Sequence, residues 1–178
     1  MTTTKIIFSG FGGQGVLTLG QVVADIALNK GKEVTWMPSY GAEMRGGTAN
    51  CSVIISDKVI GSPIILRNID ILCALNMPSI TKFLDKTADG GKVFYNSSIV
   101  TESVKKPNAE VIAIDATNIA AGAGNARAAN MVMLAAFLTK TELFTIDDIK
   151  AALERRFNNK PDLVDVNMKA IQQGLASL

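Results

Sequence analysis

The strongest constraint on this chain lies in its first 29 residues. A short β-rich run, Lys5-Ile-Ile-Phe-Ser9, meets the turn Gly10-Phe-Gly12-Gly13-Gln14-Gly15. Beyond it, Val16, Leu19, Val23 and Ala27 recur at helical spacing, and Gly31 is placed to stop the helix. A strand that leaves through glycines into a helix is a doubly wound α/β unit, and its G-x-G-x-x-G spacing lets backbone N–H groups face an anionic diphosphate. The same glycines also suit a tight turn and close helix packing with no ligand at all.

The rest of the chain continues the α/β pattern. Glu33 to Met37 reads as a second strand ended by Pro38, followed by a polar, glycine-containing loop from Ser39 to Gly47. Ala49 to Ser56 alternates apolar and polar residues, and a hairpin is expected at Asp57-Lys58. Further strands are expected at Asp70–Leu75, Lys92–Asn96 and Glu110–Asp115, with an Asp89-Gly90-Gly91 turn before the middle one. Helices are expected from Pro78 to Leu84 and from Ala126 to Leu138. Another carries Ile146, Ile149 and Leu153 behind a Thr145/Asp148 capping box, and a last one runs from about Pro161 to Gln173 with Gly174 as C-cap. The expected architecture is a single domain over residues 1–178: a three-layer α/β/α, Rossmann-like doubly wound sheet, mixed but mostly parallel, with a hairpin addition.

Composition removes several function classes. A length of 178 residues at 48% apolar content suffices for one sizeable core. The balance of 18 Lys+Arg against 16 Asp+Glu gives a net charge of +2, without the basic excess of a nucleic-acid binder. The longest apolar run, Met131–Leu138, is far short of the ~20 residues that span a bilayer, and the start lacks a secretory pattern, so a cytoplasmic location is expected. With two cysteines and no histidine, the chain cannot give four thiolates to an iron–sulfur cluster, build an ordinary zinc site or hold a Ser-His-Asp triad. Cys51 and Cys73 sit in apolar strands and read as buried apolar residues rather than a redox pair. No catalytic residue and no metal ligand is assigned within the chain.

Two clusters remain as candidate sites. The glycine turn offers Gly10, Gly12, Gly13, Gln14 and Gly15 to a cofactor. A nicotinamide Rossmann domain would also place an acid at the end of the second strand, where this chain has Met37 and Pro38. The second cluster is Pro38-Ser-Tyr-Gly-Ala-Glu-Met-Arg-Gly-Gly47, which gathers Ser39, Tyr40, Glu43, Arg45, Gly46 and Gly47 where the C-terminal end of a strand should lie. Its plainer account is a solvated connection in which Glu43 and Arg45 pair weakly. Asn76, Asn96 and Asn130 fall among apolar neighbours; Asn76 is assigned to the same cleft, although local satisfaction is the commoner fate of such asparagines.

Together these two motifs resemble the gamma subunits of 2-oxoacid:ferredoxin oxidoreductases. The likeness continues through Ile60-Gly-Ser-Pro63, Asn76-Met-Pro-Ser79, Asn96, Gly124-Asn125, Arg127, Asn130, Asn167-Met-Lys-Ala170 and Gly174, with details nearest the 2-oxoglutarate and branched-chain members. The resemblance implies oxidative decarboxylation of a 2-oxoacid with coenzyme A to acyl-CoA, carbon dioxide and reduced ferredoxin. It implies alpha-, beta- and delta-type partner subunits carrying thiamine diphosphate, Mg2+ and 4Fe–4S clusters, and a gamma part that helps bind coenzyme A and assemble the complex. Two other readings stay open: a freestanding NAD- or FAD-binding oxidoreductase, and a noncatalytic nucleotide-binding assembly module.

Overall fold

The computed structural model describes residues 3–39, 48–158 and 160–177. Strand β1 (Thr3–Gly10) leads through the glycine turn into helix α1 (Val16–Asn29), which ends where Gly31 takes φ 74° and the Lys32 amide donates back to Ala27 O. β2 (Glu33–Ser39) and β3 (Ala49–Ser56) follow, then β4 (Ile69–Ala74), α2 (Met77–Phe83), β5 (Thr87–Asn96) and β6 (Glu110–Ile114). The chain closes with α3 (Ala116–Gly122), α4 (Ala129–Thr141), α5 (Ile146–Arg156) and α6 (Pro161–Ala176). Among the described residues no helix is long and apolar enough to cross a membrane.

The strands form one six-stranded sheet in the order β2-β3-β1-β4-β5-β6. β1, β4, β5 and β6 are mutually parallel, whereas β3 runs antiparallel to both β1 and β2. The expected α/β/α sandwich with a mixed, mostly parallel sheet is therefore what forms, its antiparallel pairings made by β3 with β1 and β2. The two faces are covered unequally. One carries α1, α4 and the C-terminal helices over a core in which Phe137 lies 5.9 Å from Phe8 and 6.1 Å from Phe94 between ring centroids. α4 is apolar nearly all round, and every residue from Asn130 to Leu138 is buried. The opposite face is covered by α2 and by connecting segments that contribute Ile65, Val100 and Val104.

Four local expectations are corrected. No hairpin forms at Asp57-Lys58: β3 already has a partner along each edge, so residues 57–68 cross to β4 without pairing. Pro38 lies inside β2, opposite Cys51, instead of ending the strand. The Asp89-Gly90-Gly91 segment belongs to β5, where the pairing slips between Ile69 and Ile71 and Gly90 takes φ 77°. Gly174 is no cap but an interior residue of α6: a Cβ there would lie 2.9 Å from Ala135 Cβ and 3.2 Å from Val132 Cα, so its small size sets the approach of α6 to α4. The Thr145 capping box is present, with Thr145 and Asp148 each accepting the other's backbone N–H.

Candidate functional site

The parallel strands place their C-terminal ends along one edge, where ligands of open α/β sheets bind. Gly10, the last residue of β1, pairs with Ala49; Ser9 pairs with Asn50, which pairs in turn with Ser39. The glycine turn and both ends of the 40–47 connection therefore emerge side by side. Ser39 is exposed at this edge. Tyr40, Glu43, Arg45, Gly46 and Gly47 lie outside the described residues.

The glycines of the turn divide into two kinds. Gly10 is demanded by packing, since a Cβ would sit 2.7 Å from Gln14 Oε1, 2.9 Å from Val16 Cγ1 and 3.1 Å from Leu75 Cβ. Gly15 combines φ 76° with a position where a Cβ would overlap the Asn130 amide, whose Nδ2 donates to Gly15 O at 3.5 Å. At Gly12 and Gly13, by contrast, a Cβ would meet nothing within 4 Å. Gln14 holds the turn in shape: its Oε1 accepts from the Phe11 amide at 2.6 Å and its Nε2 donates to Leu75 O at 3.3 Å. Its own amide donates to Phe11 O at 3.2 Å, so that among the described residues only the second N–H of Gln14 Nε2 remains unengaged.

Helix α1 starts here without help. Its N-cap, Gly15, offers no side-chain acceptor, and no acid stands in the first turn. The helix presents uncapped N–H groups and the positive end of its dipole to whatever occupies the turn. A hollow of about 430 Å³ opens against this end, lined by Phe11, Gly12, Gly13, Gly15, Val16, Leu17 and Ala49. A second, of about 160 Å³, lies on the other flank of Gly13, between Gln14, the ends of β4 and β5, and the start of α4. Of the residues lining the larger hollow, Phe11, Val16, Leu17 and Ala49 are not singled out as site residues by the sequence. Leu17 left a trace, being apolar yet off the Val16–Leu19–Val23 stripe that packs on the sheet.

Asn76 is fully buried at the end of β4, beside the turn. Its Oδ1 accepts from the Ser79 amide at 2.9 Å and from Ser79 Oγ at 2.6 Å, and Ser9 Oγ donates to Ser79 Oγ at 2.8 Å. Its Nδ2 has no partner among the described residues. Asn76 thus caps α2 with one side-chain atom and holds an unused donor on the other. Asn96 is satisfied locally, donating to Thr117 Oγ1 and accepting from the Ser98 amide. Both thiols lie deep in the sheet: burial pushes Cys51 up to about 12, and burial, with the neighbouring Cys51 adding to it, raises Cys73 as well.

Comparisons with known proteins show the family and the fold. The family model described as pyruvate ferredoxin/flavodoxin oxidoreductase matches residues 5–177. Ketoisovalerate oxidoreductase subunit VorA of Methanothermobacter thermautotrophicus is 38% identical over 172 residues, covering 96% of this chain but 35% of its own length. The chain thus spans about a third of that relative. The crystal structure of the keto/oxoacid ferredoxin oxidoreductase gamma subunit from Geobacter sulfurreducens superposes with a TM-score of 0.82 at 31% identity, covering 97% of this chain and 96% of that one. The fold also recurs, at TM-score 0.87 and 23% identity, in 32% of a chain of 2-oxoglutarate:ferredoxin oxidoreductase from Magnetococcus marinus, a structure with 2-oxoglutarate, coenzyme A and succinyl-CoA bound. A match over almost the whole length, together with nearly complete mutual coverage of a gamma subunit, places this chain in the pyruvate ferredoxin/flavodoxin oxidoreductase family as a protein of the gamma-subunit type.

Proposed function

We propose that this chain is the gamma-type part of a multi-chain enzyme that oxidatively decarboxylates a 2-oxoacid, and that its glycine turn helps bind coenzyme A. The reaction converts a 2-oxoacid and coenzyme A into acyl-CoA and carbon dioxide, with two electrons passing to ferredoxin. Thiamine diphosphate, anchored through Mg2+ in alpha- and beta-type partners, would supply the electron sink for the negative charge left as carbon dioxide departs. The electrons leave through 4Fe–4S clusters in a delta-type partner, which accords with both cysteines of this chain being sealed in its core.

The observation that carries the reading is the open pair Gly12 and Gly13, standing over uncapped amides at the start of α1 beside an apolar hollow. A diphosphate suits the amides, and an uncharged pantetheine arm suits the hollow. The same geometry disfavours the nicotinamide reading. β3 lies between β1 and β2, so the end of β2 stands two strand spacings, roughly 10 Å, from β1. An acid there would be out of place for a ribose held at the turn, and the chain has none at Met37, Pro38 or Ser39.

Gly12→Leu in the assembled complex is the test. Because a Cβ at Gly12 meets open space, the variant should fold and assemble normally while the Kd for coenzyme A rises about tenfold or more, a loss of one well-made ligand contact. Unchanged affinity, measured by titration of the complex, overturns the role of the turn. Native mass analysis of the same preparation reads whether alpha-, beta- and delta-type chains accompany it.

A further inference from the structure

The smaller hollow beside the turn differs from its neighbour in chemistry. Its wall includes Gly13 and Gln14 from the turn, Asn96 at the end of β5, Thr117 on α3, and Arg127 in the short 3-10 turn before α4. The polar side chains here are mostly committed within the protein. Gln14 is used at both ends, and Asn96 donates to Thr117 and accepts from the Ser98 amide. Arg127 is the exception: among the described residues its guanidinium has neither a carboxylate nor a hydrogen-bond partner, only its backbone amide being engaged, by Asn125 Oδ1 at 3.1 Å. Among the described residues no acid lines the hollow. The nearby Asp115 is occupied with Ser98 Oγ at 2.5 Å and Asn118 Nδ2 at 2.9 Å.

Size and position narrow what this hollow can take. At about 160 Å³ it is much the smaller of the two hollows, with room for a phosphate group. It shares Gly13 with the larger hollow, so one ligand lying across the turn can occupy both. A planar guanidinium with no partner among the described residues is the side chain best shaped to grip a phosphate through two parallel hydrogen bonds. We infer that Arg127 binds a phosphate group of coenzyme A in this second hollow, so that the ligand straddles Gly13. The inference rests on the coenzyme A reading above and assigns it a charged anchor. The phosphate is either the ribose 3′-phosphate or part of the diphosphate.

The test compares the parent complex with Arg127→Gln and Arg127→Lys, using coenzyme A and 3′-dephospho-coenzyme A. Arg127 is exposed, so the variants should keep the parent's Tm and assembly. Arg127→Gln should raise KM for coenzyme A roughly tenfold or more with kcat retained at saturation, as expected for a lost charge-assisted contact. Arg127→Lys should recover part of that loss, and the parent's KM should climb with salt more steeply than that of the Gln variant. If the 3′-phosphate is the partner, the parent's preference for coenzyme A over the dephospho form disappears in Arg127→Gln; if the diphosphate is, both ligands weaken alike. A KM for coenzyme A within twofold of the parent overturns the inference. Should Gly12→Leu weaken coenzyme A while Arg127→Gln does not, only this anchor fails; should neither do so, the coenzyme A reading fails with it.

Discussion

A methyl group added at Gly12 would meet open space, whereas one added at Gly15 would overlap the Asn130 amide on a backbone already at φ 76°. Gly15→Ala should therefore cost about 1–3 kcal/mol of stability, visible as a lower Tm, and Asn130→Gly in the same chain should return the steric part but not the backbone part. A melting curve that matches the parent's would refute the packing account. The sequence announced that this turn was special but not which glycine served which purpose, since G-x-G-x-x-G is written identically for packing and for ligand. Only the neighbours separate them, and Asn130 lies more than a hundred residues further on in the chain. Asn76 illustrates the same limit. Its N-cap role is foreshadowed by the proline at Pro78 and Ser79 three residues on, but the unused donor on Nδ2 becomes visible only once the fold surrounds it.

At the scale of elements, local chemistry was legible wherever it governed the structure. The cap at Thr145 formed as read, and it carries a pH dependence. Burial works against the Asp148 charge, but the Thr145 amide, together with Lys30 at 2.9 Å, outweighs it and holds the carboxyl below the usual aspartate range. A carboxyl depressed in the folded state lends stability above its unfolded pKa of ~3.9, and that stability disappears as pH falls through the lower folded value. Asp148→Asn should then cost about 1 kcal/mol at pH 7, and the Tm gap to the parent should close below about pH 4. A gap independent of pH would place its origin elsewhere. α3 went unread for the opposite reason. It buries Ala116 and Ala120, residues too small to leave an apolar stripe, so its packing is strong where its pattern is faint. The missing hairpin at Asp57-Lys58 is a fault of order rather than of strand assignment, because no local signal says that β3 will slot between β1 and β2.

Across the whole molecule, that slotting aligns the candidate edge, bringing the ends of the 40–47 connection beside the glycine turn. The class of fold was readable from alternating strands and helices, while the sheet order, set by pairings between distant segments, was not. The positions of the two thiols have a practical consequence. Cys51 and Cys73 are wholly shielded and hold their protons far above neutral pH, so a maleimide or disulfide reagent at pH 7–8 should modify the native protein only as fast as it unfolds, with both sites reacting in denaturant. Rapid modification of the folded chain would contradict this burial. The protein is thereby chemically silent towards thiol dyes, and a single cysteine introduced at Thr48, beside the turn, would accept a fluorophore without background and report in real time on whatever arrives at that edge.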